Sequence, residues 1–125
     1  MNAKGLVWMG VPTQNFAETV AFFCDVLSLE AERRDAAFAV LRLPSGEAVE
    51  VFGPEIAGAR QFATGPVVGF EVEDVREARG EMEAKGVEFL GPVHEGDPGA
   101  AWSHFRGPDG KIYEITQVPE GELRG

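Results

Sequence analysis

Cysteine occurs once in this 125-residue sequence, histidine twice and tyrosine once. A lone Cys24 closes no internal disulfide, and no Cys/His cluster has zinc-like spacing. Cys24 is expected to point outward or to pack as a small apolar group, since no histidine is suggested nearby to activate it. Long hydrophobic runs are also missing. The apolar stretch from Leu6 to Val11 is too short for a signal peptide or a membrane span. Positive charge is scarce, with eleven Lys and Arg against twenty-one Asp and Glu, a net charge of −10. That balance argues against the basic patch that phosphate-backbone binding needs, so neither nucleic acid nor membrane is an expected partner. The acidic surface reads as solubilising, and it also attracts cationic ligands. A reducing cytoplasm is the expected compartment.

What is present is an ordinary globular composition, 44% hydrophobic and 26% charged, at a length that suits one domain. The expected domain covers residues 1–125, with modules at about 5–53 and 66–117, a connector at 54–65 and a tail at 118–125. Each module reads as β-α-β-β-β. In the first, Leu6 to Val11 is a strand, and Asn15 with Glu18 three residues on offers a helix N-cap. Phe16, Val20, Phe23 and Leu27 follow at helical spacing as one buried stripe. Strands are expected at Ala31–Arg34, Ala36–Leu43 and Glu47–Phe52, with Pro44-Ser45-Gly46 as a hairpin turn.

In the second module Val67–Val72 is a strand, and Asp74 caps a helix whose stripe is Val75, Ala78 and Met82. Gly86 should end it in the left-handed conformation. Val87–Leu90, Ala101–Arg106 and Lys111–Gln117 complete the module, the last two joined by Gly107-Pro108-Asp109-Gly110. His94 is expected on the surface before the acidic loop 95–99, and Arg33-Arg34-Asp35 at a solvated strand end. The expected class is α+β: a mostly antiparallel sheet with both helices on one face. Its other face is then wet, covered by a subunit, or curled into a cup.

Strand alternation separates the faces. Val49 and Val51 belong under a helix, which leaves Ala48, Glu50 and Phe52 on the open side. Phe38, Val40 and Arg42 join them around the hairpin, and Arg42 is the expected partner of Glu50. Ile112, Glu114 and Thr116 share a face, as do Trp102 and His104, with Phe105 in the core. An open face of Phe38, Val40, Phe52, Trp102, Ile112 and Trp8 is more apolar than a plain solvent face. With Glu50, Glu114, His104 and Arg42 set into it, it has the make-up of a small-molecule pocket.

Three segments carry a family resemblance. Phe22-Phe23-Cys24-Asp25-Val26-Leu27 is similar to F-Y-x-x-x-L, Gly69-Phe70-Glu71-Val72-Glu73-Asp74 opens the second half, and Phe105–Ile115 is close to F-x-D-P-D-G-x-x-x-E. In this order the chain resembles the vicinal oxygen chelate superfamily, which includes glyoxalase I, bleomycin-resistance proteins, extradiol dioxygenases and methylmalonyl-CoA epimerase. The resemblance implies a sheet curled into a cup, a homodimer, and a divalent metal held from four strands. Glu50 and Glu114 match two of the metal positions. The other two fall on Trp8 and Val67, which offer no ligand atom. Two carboxylates and water hold Mg²⁺ or Mn²⁺ only weakly, so no cofactor is expected.

The expected function is therefore small-molecule binding of the bleomycin-resistance type, without the family's catalytic metal. An aromatic or cationic compound would lie against Trp8, Phe38, Phe52 and Trp102, with Arg42 and His104 as polar contacts. The alternative is a glyoxalase-like lyase or isomerase in which Glu50 and Glu114 are the catalytic acid and base, or partial metal ligands.

Overall fold

A computed structural model describes residues 1–56 and 65–119. Its strands are β1 (Gly5–Pro12), β2 (Glu30–Arg34), β3 (Phe38–Arg42), β4 (Ala48–Phe52), β5 (Val67–Glu71), β6 (Glu88–Glu95), β7 (Ala101–Arg106) and β8 (Ile112–Gln117). The helices are α1 (Phe16–Ala21), which runs on as a π-helical turn over Phe22–Val26, and α2 (Val75–Ala84). Much of the expected connector and tail lies outside the described residues. Two compact units result, one from Trp8 to Val67 and the other joining Met1–Val7 to the chain from Val68 onward.

In the first unit the strand order is β2-β3-β4-β1. β1 runs parallel to β4, while β2–β3 and β3–β4 are antiparallel. Val20 of α1 packs on Ala39, Leu41, Val49 and Val51, with Phe16, Phe23, Cys24 and Leu29 around them. Burying Leu41 or Val51 completely contributes about 1.5–3 kcal/mol each. The hairpin expected at Pro44-Ser45-Gly46 is present, with the Gly46 N–H on the Leu43 carbonyl at 2.9 Å.

Two expectations fail around α1. Asn15 occupies the N-cap position, but its side chain makes no capping bond. Its φ of −113° and ψ of 60° depart from the extended conformation that aims a capping side chain at the first turn. Its own N–H donates to Thr13 Oγ1 instead, at 3.0 Å. Leu27, expected in the buried stripe, is 52% exposed. The π turn, closed by Leu27 N–H on the Phe22 carbonyl, lengthens the repeat and carries Leu27 out of phase. Leu29 takes its place in the core.

In the second unit the order is β5-β8-β7-β6, with β5 parallel to β8 and the other pairs antiparallel. Asp74 caps α2 as expected, accepting from the Glu77 N–H at 3.0 Å. Gly86 ends it at φ +90°, with bonds from Gly86 to Glu83 and from Val87 to Met82. Val75 and Ala78 pack on Val72, Ala101 and Ile115, flanked by Met82, Phe89, Val93 and Phe105. The expected sixth strand, Val87–Leu90, is too short. It continues to Glu95 through a bulge between Leu90 and His94, where Gly91 has φ +75°. Pro92 is tolerated because β6 is outermost in its unit. The α+β class and the repeated β-α-β-β-β order stand as expected. Among the described residues no helix is long and apolar enough to cross a membrane.

Candidate functional site

Glu50 and Glu114 fall one in each unit, on strands with similar neighbours. Glu50 on β4 lies between Val40 on β3 and Gly10 on β1. Glu114 on β8 lies between His104 on β7 and Gly69 on β5. In both, the parallel neighbour opposite the carboxylate is a glycine. The antiparallel neighbour differs, apolar in one unit and titratable in the other.

Around Glu50 the wall is aromatic. Phe52, only 5% exposed, stacks on Phe38 with centroids 5.9 Å apart and lies 6.4 Å from Trp8. The Trp8 ring runs along its own strand across Gly10, so close that a Cβ on residue 10 would come within 2.3 Å of Trp8 Cη2. The indole N–H is hydrogen-bonded to the Glu50 carboxylate. Burial nonetheless holds the Glu50 carboxyl above its ordinary range, outweighing the Trp8 bond and the charges of Arg42 and Arg33.

Arg42 corrects an expectation. It forks onto Glu32, with Nη2 at 2.7 Å from Oε1 and Nε at 3.0 Å from Oε2, and gives Nη1 to the Gly46 carbonyl. Its effect on Glu50 is a lesser Coulombic one. β2 carries Glu32 on the far side of β3, and a bidentate carboxylate outcompetes a half-buried one that has another donor. Arg33, read as part of a solvated end, lies over the Phe38 ring at 5.2 Å.

Around Glu114 the setting is polar and closed. His104 Nε2 is 3.3 Å from Glu114 Oε1. Trp102, two residues earlier on β7, carries the His94 ring stacked on it at 5.7 Å, and His94 also lies 6.2 Å from His104. His94 is exposed, but it is a strand residue on this cluster rather than a bystander before the loop. The β6 bulge aims it there. Arg79 secures that bulge from the helix side, with Nη1 on the Gly91 carbonyl at 2.8 Å and on Ser103 Oγ at 3.1 Å.

Sequence reasoning passed over Glu71, which is 8% exposed and 3.8 Å from Lys4 Nζ. Its alternation with Gly69 on β5 was the available signal. A separate surface groove of about 650 Å³ at the start of α2 is lined in part by Lys4, Glu73, Asp74 and Glu77. Its charged wall lacks the apolar character of a small-molecule pocket, so the aromatic and glutamate clusters are the stronger candidates.

The family model for the Glyoxalase/Bleomycin resistance protein/Dioxygenase superfamily matches residues 5–115. The chain belongs to that superfamily. No curated protein matches it in sequence. Among solved structures, methylmalonyl-CoA epimerase from Mycobacterium tuberculosis is similar at a TM-score of 0.73 and 15% identity, covering 94% of this chain and 91% of that one. A Streptomyces coelicolor methylmalonyl-CoA epimerase variant, in complex with 2-nitronate-propionyl-CoA, gives 0.70 and 18%, covering 92% and 97%. A hypothetical protein from Bacillus halodurans C-125 gives 0.73 and 18%, covering 92% and 94%. At these identities the likeness is one of fold.

Against the metal that membership in the glyoxalase superfamily suggests, the donor set is a poor fit. Trp8 presents an indole N–H, a donor without a lone pair for a metal, and Val67 presents a buried aliphatic group. Among the described residues no group of three or more His, Cys, Asp or Glu side chains is placed to hold a metal ion.

Proposed function

We propose that this superfamily member binds a small organic molecule without the divalent metal, acting in the cytoplasm as a homodimer. The observation that carries the reading is the Trp8 indole on the Glu50 carboxylate, set in a wall of Phe38 and Phe52. A carboxylate among aromatic faces suits a ligand with an apolar or aromatic body and a cationic group.

The test is elemental analysis of untagged protein after incubation with Mn²⁺, Ni²⁺, Zn²⁺ or Fe²⁺, paired with a thermal-shift screen of aryl ammonium compounds. The expected result is no stoichiometric metal and a stabilising hit that weakens in E50Q. Near one metal per chain, lost in E50A or E114A, overturns the reading.

A second reading is favoured by one specific observation, the buried His104–Glu114 pair. It makes the protein a proton-transfer lyase or isomerase, with Glu114 positioned by His104 beside an acidic carbon. Deuterium incorporation from ²H₂O into a hemithioacetal or into methylmalonyl-CoA, abolished in E114Q, supports this reading. No exchange with either compound counts against it.

A further inference from the structure

Trp8 and Gly10 form a unit whose chemistry goes beyond filling space. Glu50 is half-buried, and a carboxylate drawn partly out of water gains from a hydrogen-bond partner. On the β3 side of Glu50 stands Val40, which offers none, and on the β1 side stands Gly10. Over Gly10 lies the indole, which reaches from two residues earlier on the same strand. Any side chain at residue 10 would collide with that ring, since even a Cβ meets Cη2 at 2.3 Å and Cζ2 at 2.7 Å.

A glycine, Gly69, likewise stands beside Glu114, but the residue two positions before it is Val67, which is apolar and too short to reach. There the polar neighbour comes from the other side, as His104. Equivalent carboxylates are thus capped from opposite flanks. Only the first cap is a group that cannot ligate a metal.

We infer that the Trp8–Gly10 pair is a specificity device that reserves Glu50 for organic ligands by holding an indole N–H where a metal-binding side chain would otherwise stand. A cation on Glu50 has to displace this bond and pass the ring. An organic ligand meets the indole face and the carboxylate together. This inference rests on the proposed metal-free reading, and it adds that at Glu50 the Trp8 side chain enforces it.

The test uses the full chain and the metal ions alone. Wild type, E50Q, W8H and W8H/E50Q are dialysed against Mn²⁺ or Ni²⁺, bound metal is measured per chain, and folding is checked by circular dichroism. The expected result is that E50Q changes wild-type metal affinity less than twofold. W8H should bind at least tenfold tighter, and W8H/E50Q should lose that gain. If W8H does not fold, W8Q takes its place, since its amide oxygen is also a ligand.

A folded W8H or W8Q without gain overturns the inference and leaves the metal-free reading standing. Glu50-dependent metal binding by wild type overturns both. An independent readout is Trp8 fluorescence in a W102F background, where E50Q should shift the emission. An unchanged spectrum would show that the indole does not sense Glu50, and would overturn the inference.

Discussion

His104 and Glu114 face each other across β7 and β8 with Nε2 and Oε1 3.3 Å apart, their side chains only 7% and 6% exposed. Removing one partner leaves the other buried with less compensation, at a cost of about 1–3 kcal/mol. Urea unfolding of H104A, E114A and the double variant should therefore be non-additive, with the double variant costing less than the two singles together. Strict additivity would show that the two side chains are energetically independent.

Glu50 makes stability depend on pH in the direction opposite to most carboxylates. Burial raises its folded-state pKa above the ordinary 4.5. The protonated form is thus favoured by folding. Its contribution is fully present below 4.5 and is lost as pH rises through the folded value. E50Q keeps an acceptor for Trp8 and carries no charge. Unfolding free energies across this range should show E50Q gaining on wild type as pH rises; parallel curves would contradict the assignment.

Gly10 tests the seat of the indole. In G10A the new Cβ meets Trp8 Cη2 at 2.3 Å, so the ring has to move. A cost of about 1–3 kcal/mol is expected from overpacking. In a W8A background the same change should be nearly neutral. An equal cost in both backgrounds would place the problem in the strand and not in the ring.

Tyr113 is the sole tyrosine, so its ultraviolet titration reports one group. Its hydroxyl donates to Asp109 Oδ2 at 2.6 Å, and that bond raises the phenol pKa above 10.0 while lowering that of Asp109. D109N should return the tyrosinate transition to its ordinary position. A transition that does not move would remove Asp109 as the cause.

Much of the architecture was legible because it rests on local rules. Alternation in Ala48–Phe52 and Ile112–Gln117 separates Val49, Val51 and Ile115 from Glu50 and Glu114, and the register agrees. Asp74 and Gly86 mark α2 correctly because their side-chain and backbone chemistry acts within a few residues. What escaped depends on irregular geometry. The π turn that expels Leu27 and the bulge that recruits His94 each add residues to a regular repeat, and no local propensity announces them. Face alone points Arg42 at Glu50, whereas its fork onto Glu32 depends on how β2 lies against β3. Trp8 was legible as an apolar wall. Its bond to Glu50 depends on a rotamer that only Gly10 permits.

One end strand in each unit bears on how copies of this chain meet at high concentration. β2 is exposed throughout, reads Glu-Ala-Glu-Arg-Arg, and carries a register shift between Ala31 and Arg33. β6 carries Pro92 beside its own shift. Charge, a missing N–H and broken register each discourage another chain from adding itself to an open ladder. Fibre growth by strand addition is thereby opposed along β2 and along β6.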